Sequence, residues 1–331
     1  MDVTMIKEDR RGYRMELYRK NAELLVQAVE TNAAIFPIER HRREDGSLDV
    51  EGNLKVWNQA LKPFHKTYLW ENGAPGFDAE KTPLQEEPYF VFVPTQDRRV
   101  RGTILVAHGG GFSWRTGTEG VNVSHYFWKA GFNVAILSYR LIPYTRFDAI
   151  ADMQRAIRIL RSRAKEWNLG EKIAAMGFSA GGMLSGNCAT HPDNGNPDSE
   201  DVIERFPSGV DAAVIGYGAM SGVSFPAPFG QEGDPLMGTN NKDRMYLAIE
   251  KNVTYDTPPM FIWQTMSDDG RHGMCLAKAL QDAGVAYELH IFQPGVHGLA
   301  MADGRNDLGM DIPHVTHWGE LCCEWLADLG F

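Results

Sequence analysis

The stretch that decides the fold reads Gly177-Phe178-Ser179-Ala180-Gly181. An apolar run at residues 172–176 precedes it, and a helix-like run at residues 180–190 follows it. A strand that turns into a helix within so few residues leaves little room for neighbouring side chains, which explains the glycines on both sides of the serine. The pattern G-x-S-x-G between a strand and a helix predicts a nucleophile elbow, with the hydroxyl of Ser179 at the end of a strand.

A second motif lies upstream and reads His108-Gly109-Gly110-Gly111-Phe112. It follows a continuous apolar run at residues 102–107, which predicts a buried parallel strand. When a serine attacks an ester carbonyl, negative charge develops on the oxygen, and backbone N–H groups can approach that oxygen only where side chains do not block them. The motif therefore predicts an oxyanion hole that uses the N–H groups of Gly110, Gly111 and Ala180. We expect His108 to orient this loop rather than to transfer protons.

A nucleophilic serine needs a general base, and the base needs an acid that orients it. Among the ten histidines, His297 is the best candidate, because it lies on a Pro/Gly loop after a predicted strand. The acid should follow a strand between Ser179 and His297 in the sequence, and the strand at residues 259–265 leads to Asp268 and Asp269. We expect Asp268 to be the acid and keep Asp269 as the alternative. This order of serine, acid and histidine is the one expected for an α/β-hydrolase.

Strand and helix patterns alternate from residue 89 onward. Strands are predicted at residues 89–93, 103–107, 133–139, 172–177, 212–217, 260–265 and 287–292. Helices are predicted between them, notably at residues 147–167 and 271–283. This alternation predicts an α/β fold with a mostly parallel central sheet and helices on both faces. Its ligand site is expected beyond the carboxyl ends of the strands, where all three proposed triad residues lie.

Residues 1–65 form a separate section of the sequence, with helical patterns at residues 13–34 and 54–61. We therefore divide the chain into an N-terminal helical extension at residues 1–65 and a catalytic domain at residues 66–331. The extension could cap the mouth of the site, pair with another subunit in a homo-oligomer, or add to the core. The sequence does not decide among these three roles.

Composition and charge exclude several classes of function. The chain has 33 basic and 43 acidic residues, a net charge of −10, which argues against a nucleic-acid partner. Its first residues lack the apolar core of a signal peptide, and no apolar run is long enough to span a membrane. Its four cysteines form neither a disulfide framework nor a metal-ligand pattern, so a reducing cytoplasm is the expected location. The pair His314 and His317 lacks an evident third ligand, and we expect no metal.

The chain resembles the α/β-hydrolase superfamily, and within it the bacterial acetyl xylan esterase-like branch that is related to the hormone-sensitive-lipase group. The resemblance covers residues 68–330 and rests on the segments 108–112, 138–141, 177–182, 253–259, 288–292 and 295–299. It implies Ser179 as nucleophile, His297 as base and Asp268 as acid, and it implies that no metal or organic cofactor is needed. It also implies short acyl groups, acetyl first, on an acetylated sugar or xylo-oligosaccharide.

Four aromatic residues are candidates for the wall of the substrate pocket. Phe112 and Trp114 lie in or just after the glycine motif, and Phe225 and Phe229 lie in a Gly- and Pro-rich loop. Aromatic rings can stack on a sugar or enclose an acyl group, and they can equally pack a core. Two other functions therefore remain open: a general carboxylesterase acting on aryl or alkyl esters, and a protein with the hydrolase fold that binds a ligand without turnover.

Overall fold

The computed structural model describes residues 3–37, 42–224 and 238–331, and within them eight strands form one sheet. In chain order the strands are β1 (Thr67–Tyr68), β2 (Tyr89–Val93), β3 (Thr103–Ala107), β4 (Asn133–Ser138), β5 (Ile173–Phe178), β6 (Ala212–Gly216), β7 (Met260–Thr265) and β8 (Tyr287–Phe292). The strands β2 to β7 are buried along their whole length. Strands of this kind occur where helices cover both faces of a sheet.

The sheet is mostly parallel, and its strand order is β1-β2-β4-β3-β5-β6-β7-β8. Strands β1 and β2 pair antiparallel with each other, and β2 also pairs antiparallel with β4. The other pairs, from β4 across to β8, are parallel. The loops after β3, β5, β7 and β8 therefore meet at one edge of the sheet, which is where ligands bind in folds of this kind. The predicted α/β architecture is confirmed.

Helices cover both faces of the sheet. In chain order they are α1 (Val3–Glu30), α2 (Val50–Leu61), α3 (Val123–Lys129), α4 (Arg146–Trp167), α5 (Ala180–Thr190), α6 (Asn241–Leu247), α7 (Arg271–Ala283), α8 (Pro313–Thr316) and α9 (Trp318–Asp328). One π-helical turn, Thr118–Asn122, leads directly into α3. None of the described helices combines the length and apolar character needed to cross a membrane.

The hydrophobic core consists of two clusters, one on each face of the sheet. Successive residues of β2 alternate between them: Phe90 and Phe92 belong to one cluster, and Val91 belongs to the other. This alternation follows from the two-residue period of a strand. Helices α4, α5 and α7 contribute to the first cluster, and α3 and α9 contribute to the second.

The N-terminal helices belong to this same core. Tyr18 of α1 lies in the first cluster and Trp57 of α2 in the second. Asn21 of α1 donates hydrogen bonds to the carbonyls of Phe92 (2.8 Å) and His65 (3.0 Å), and it accepts one from the His65 N–H (2.9 Å). Through these three hydrogen bonds, the buried amide of Asn21 connects α1 to β2 and to the segment before β1. Within the described residues, the predicted helical extension is present and packs on the sheet; its roles as a cap or a subunit contact stay predictions, as does the boundary at residue 65.

Two elements, α1 and β1, differ most from the sequence-based expectation. Helix α1 begins at Val3 and ends at Glu30, whereas the pattern predicted residues 13–34. A helix is recognised in sequence by the spacing of its apolar residues, and residues 7–12 are all charged or glycine, so the first turns of α1 could not be predicted. Strand β1 was not predicted, because two residues are too few for an alternating pattern to show.

Candidate active site

Ser179 lies at a sharp turn between β5 and α5. Its backbone φ of 52° and ψ of −118° are values that a non-glycine residue adopts only under constraint. A Cβ on Gly177 would lie 2.0 Å from the carbonyl oxygen of Gly181, and a Cβ on Gly181 would lie 2.1 Å from that of Ala107. Only glycine fits at either position. The turn predicted from the G-x-S-x-G pattern is present, and it presents the Ser179 hydroxyl at the carboxyl edge of the sheet.

A chain of two hydrogen bonds connects Ser179, His297 and Asp268. The Ser179 Oγ lies 2.7 Å from Nε2 of His297, and Nδ1 of His297 lies 2.7 Å from Oδ1 of Asp268. Because a carboxylate can only accept, the proton sits on Nδ1, and the unprotonated Nε2 accepts from the serine hydroxyl. The imidazole is 42% exposed and the Asp268 side chain 12%. His297 thus faces the solvent side of the site, while Asp268 is largely enclosed.

Asp269 has a different partner. Its backbone is left-handed, with a φ of 52°, and its carboxylate accepts hydrogen bonds from Nε (2.7 Å) and Nη2 (2.5 Å) of Arg271. These hydrogen bonds lower the pKa of Asp269 below its usual range. The structure therefore brings Asp268, and not Asp269, to the imidazole of His297.

The surroundings of His297 favour its protonated form. Burial of the ring lowers its pKa, but the hydrogen bond and the negative charge of Asp268, with a smaller contribution from the charge of Glu119, outweigh burial and raise the pKa above its usual value. A group with this environment gains a proton readily when a neighbouring hydroxyl releases one, as a general base must.

The glycine loop after β3 carries backbone N–H groups that do not donate to other protein groups. In the described structure, the backbone N–H groups of Gly110, Gly111 and Ala180 have no acceptor. Gly110 has a φ of +110°, and a Cβ there would lie 2.1 Å from Cδ1 of Trp114. A Cβ on Gly111 would meet nothing within 4 Å, so this part of the loop borders open space. The three N–H groups predicted as oxyanion donors thus donate to no protein acceptor in the described structure, and their role stays a prediction.

His108 packs against this loop on its buried side. The ring is buried and stacks on Tyr139 with 4.5 Å between ring centroids, and its Nδ1 lies 2.6 Å from the carbonyl oxygen of Gly109. Burial lowers the pKa of His108 to about 3, so the ring is neutral. Helix α2 supports the same loop: Asn53 donates to the carbonyl of Arg115 and accepts from its N–H, both at 2.8 Å.

The four aromatic pocket candidates fall into two groups. Phe112 is 3% exposed and its ring centroid lies 6.0 Å from that of Tyr139, and Trp114 is 8% exposed and lies 6.2 Å from Phe36. Both side chains are thus packed inside the protein, and contact with a substrate stays a prediction for them. Phe225 and Phe229 lie outside the described residues.

No group of three or more metal-ligating side chains occurs among the residues that the structure describes. His290 is paired with Glu288 at 2.6 Å, and His314 lies against the ring of Phe292. Sequence reasoning missed three residues that hydrogen-bond to the loops of the site: Asn53, Glu119 and Tyr217. Their partners are distant in the sequence, so no local pattern marks them.

Comparison with known proteins identifies the family. The BD-FAE family model matches residues 91–270, more than half of the chain. The chain belongs to the BD-FAE family. The matched region contains the glycine loop, the serine turn and Asp268, and it ends before His297.

Two curated relatives match part of the chain. One is endo-1,4-beta-xylanase B of Butyrivibrio fibrisolvens, 31% identical over 228 residues, which are 65% of this chain and 35% of the relative. The other is an acetylxylan esterase of Xylanibacter ruminicola, 30% identical over 207 residues, which are 59% of this chain and 40% of the relative. The matched part of the chain thus spans well under half the length of either relative.

Solved structures share the fold. An acetyl ester-xyloside bifunctional hydrolase from Caldicellulosiruptor lactoaceticus superposes on the BD-FAE chain with a TM-score of 0.71 at 32% identity, over 81% of this chain and 97% of that one. A carboxylesterase from Lactobacillus plantarum superposes with a TM-score of 0.59 at 21% identity, over 73% of this chain and 92% of that one. The second likeness is one of fold alone.

Proposed function

We propose that the protein is a serine esterase that hydrolyses short-chain esters, acetyl esters of carbohydrates above all. The observation that carries the proposal is the hydrogen-bonded chain of Ser179, His297 and Asp268. A hydroxyl next to an unprotonated imidazole is an activated nucleophile, and backbone N–H groups without a protein acceptor, as in the glycine loop, can bind an oxyanion. The names of the xylan-related relatives support the carbohydrate part of the proposal.

In the proposed mechanism, Nε2 of His297 takes the proton of Ser179 as Oγ attacks the ester carbonyl carbon. The carbonyl oxygen becomes an oxyanion facing the N–H groups of the glycine loop and of Ala180. When the tetrahedral intermediate collapses, the bond to the alcohol breaks and His297 returns the proton to the leaving oxygen. Water then attacks the acyl-serine, gives its proton to His297, and releases the acid with Ser179 restored. Asp268 holds Nδ1–H throughout and stabilises the imidazolium.

The proposal is tested by trapping the nucleophile and by measuring substrate preference. A fluorophosphonate probe should label the purified protein at Ser179 and should not label the Ser179→Ala variant. Among p-nitrophenyl esters, kcat/KM should be highest for acetate and should fall as the acyl chain lengthens. Acetylated xylo-oligosaccharides should release acetate.

The two alternative functions predict different results in these experiments. A preference for longer acyl chains with no release of acetate from the oligosaccharides would point to a general carboxylesterase. Absence of both labelling and turnover in a folded protein would point to a binding protein and would refute the esterase proposal.

A further inference from the structure

Glu119 is a buried carboxylate directly behind the glycine loop. Its side chain is 1% exposed, and it lies in the π-helical turn that leads into α3. Its Oε2 accepts hydrogen bonds from the N–H of Gly109 (2.7 Å) and from the hydroxyl of Thr116, and its Oε1 accepts one from the hydroxyl of Tyr217 (2.8 Å). Burial raises the pKa of Glu119, whereas the hydrogen bonds from these three groups, each of which can donate to a carboxylate, oppose that rise and favour the ionised form.

The third partner, Tyr217, connects Glu119 to the loop that carries His297. Its hydroxyl oxygen accepts a hydrogen bond of 2.9 Å from the N–H of Ala300, three residues after His297. Its ring lies edge-on to the imidazole of His297, with 5.1 Å between centroids. Tyr217 has a φ of 36°, a strained backbone conformation for a large side chain, which persists only where the surroundings enforce it. One carboxylate thus joins the loops that carry the oxyanion donors and the base.

The carboxylate is also close to the nucleophile. A Cβ on Gly109 would lie 2.3 Å from Oε2 of Glu119 and 2.9 Å from Cβ of Ser179. The glycine, the carboxylate and the serine therefore share one tightly packed region. A shift of Glu119 cannot be absorbed there without moving the glycine loop relative to Ser179.

We propose that Glu119 is a positioning residue for the ester hydrolysis proposed above, on which this inference rests. Through Gly109 it fixes the loop of the oxyanion donors, and through Tyr217 it fixes the loop of His297, so that the two loops keep their relative position. The residue does not contact a substrate. It acts through the loops that do, and a displacement of about 1 Å at reacting groups costs on the order of 10²-fold in rate.

Electrostatics provides a second signature of this role. The imidazole of His297 faces Asp268 from the loop after β7, Tyr217 from the loop after β6, and Glu119 from the turn before α3. Glu119 in turn faces Tyr217 and also influences Asp307, a buried carboxyl that contacts Thr118 at 3.2 Å. The negative charge of Glu119 raises the pKa of His297. Removal of that charge should therefore lower the pKa of the base and extend activity toward acid pH.

The test compares Glu119→Gln with Asp307→Asn in the full chain, using p-nitrophenyl acetate as the substrate. The glutamine has the same shape, but its amide NH₂ must face either the Gly109 N–H, which cannot accept, or the Tyr217 hydroxyl, which would lose its own acceptor while its oxygen already accepts from the N–H of Ala300. We expect Glu119→Gln to lower kcat by about 10- to 100-fold with little change in KM, and to move the acid limb of the kcat/KM profile to lower pH. Asp307→Asn removes a nearby buried carboxyl that contacts neither loop, and it should keep kcat within about threefold of wild type.

Tyr217→Phe supplies a second route, which stays informative if Glu119→Gln folds poorly. It keeps the ring against His297 but removes the hydroxyl that links Glu119 to Ala300. We expect kcat to fall in this variant as well, and the double variant with Glu119→Gln to lose less than the product of the two single losses, because both changes break one link.

The possible failures are distinguishable. If the wild type hydrolyses esters while Glu119→Gln keeps its kcat and its acid limb, or falls no further than Asp307→Asn, the positioning role is overturned and the esterase proposal stands. If the folded wild type neither hydrolyses esters nor reacts with a fluorophosphonate, the esterase proposal fails and this inference fails with it.

Discussion

The carboxylate of Asp268 lies 2.7 Å from Nδ1 of His297, whereas its neighbour in the chain, Asp269, is held by Arg271. One left-handed residue makes this difference, because the φ of 52° at Asp269 turns its side chain away from the imidazole. We therefore expect Asp268→Asn to lower kcat by about 10⁴-fold, as loss of the orienting acid does in such triads. Asp269→Asn is the matched control and should cost far less. Steady-state kinetics on p-nitrophenyl acetate ranks the two, and the reverse ranking would reassign the acid.

The environment of His297 predicts an acid limb in the pH–rate profile. The base works only when unprotonated, and the Asp268 hydrogen bond and charge raise its pKa above the usual 6.5 against the effect of burial. Activity should therefore decline as the pH falls through a midpoint above 6.5. The measurement is kcat/KM between pH 5 and 9 at constant ionic strength, which reports the free enzyme. A profile that stays flat well below pH 6.5 would contradict this assignment of the base.

Gly110 and Gly111 are adjacent, but replacement by alanine should be tolerated only at Gly111. At Gly110, a methyl group would lie 2.1 Å from Cδ1 and 2.3 Å from the carbonyl oxygen of Trp114, and the φ of +110° is closed to other residues. Gly110→Ala should displace an oxyanion donor and lower kcat by about 10²- to 10³-fold.

Gly111→Ala is the comparison for this change. Its φ of +57° is left-handed and its Cβ would meet nothing within 4 Å, so the cost should be a backbone strain of about 1–2 kcal/mol with most activity kept. Kinetics together with thermal unfolding separates the two variants. Equal losses of kcat would mean that crowding at Gly110 is not what shapes the loop.

Helix α2 provides a stability prediction. Asn53 makes two hydrogen bonds of 2.8 Å to the backbone of Arg115 and is 2% exposed. Asn53→Ala leaves two buried backbone groups unpaired, so the free energy of unfolding should fall by about 2 kcal/mol or more. Asn58→Ala on the same helix removes a single half-buried bond to Leu84 and should cost about 1 kcal/mol. Urea unfolding curves measure both, and a smaller effect at Asn53 than at Asn58 would contradict the proposed support of the loop.

The residues that sequence reasoning located share one property: each follows a strand within a short local pattern. Ser179 stands in a five-residue motif, and His297 stands on a Pro/Gly loop after β8. The order of these strands along the sheet then brings the loops to one edge. For the buried strands β2 to β7, apolar runs were sufficient to predict the strand, because a strand buried on both faces does not need alternating polar residues.

The residues that sequence reasoning missed depend on contacts across the fold. Glu119 and Tyr217 are 98 residues apart, and Asn53 and Arg115 are 62 apart. A lone glutamate after a glycine loop looks like a solvated charge until its burial is known. The choice between Asp268 and Asp269 was open for a similar reason, since only backbone conformation separates two adjacent carboxylates.

The paired bonds between Asn53 and Arg115 affect how chimeras of this chain should be built. A recombination junction near residue 65 would join a foreign N-terminal segment to a glycine loop that has lost its anchor. Residues 50–61 and 108–117 should therefore always be taken from the same parent sequence. A library that shuffles them independently would sample many mismatched pairs and recover active members mainly where the parental combination is restored.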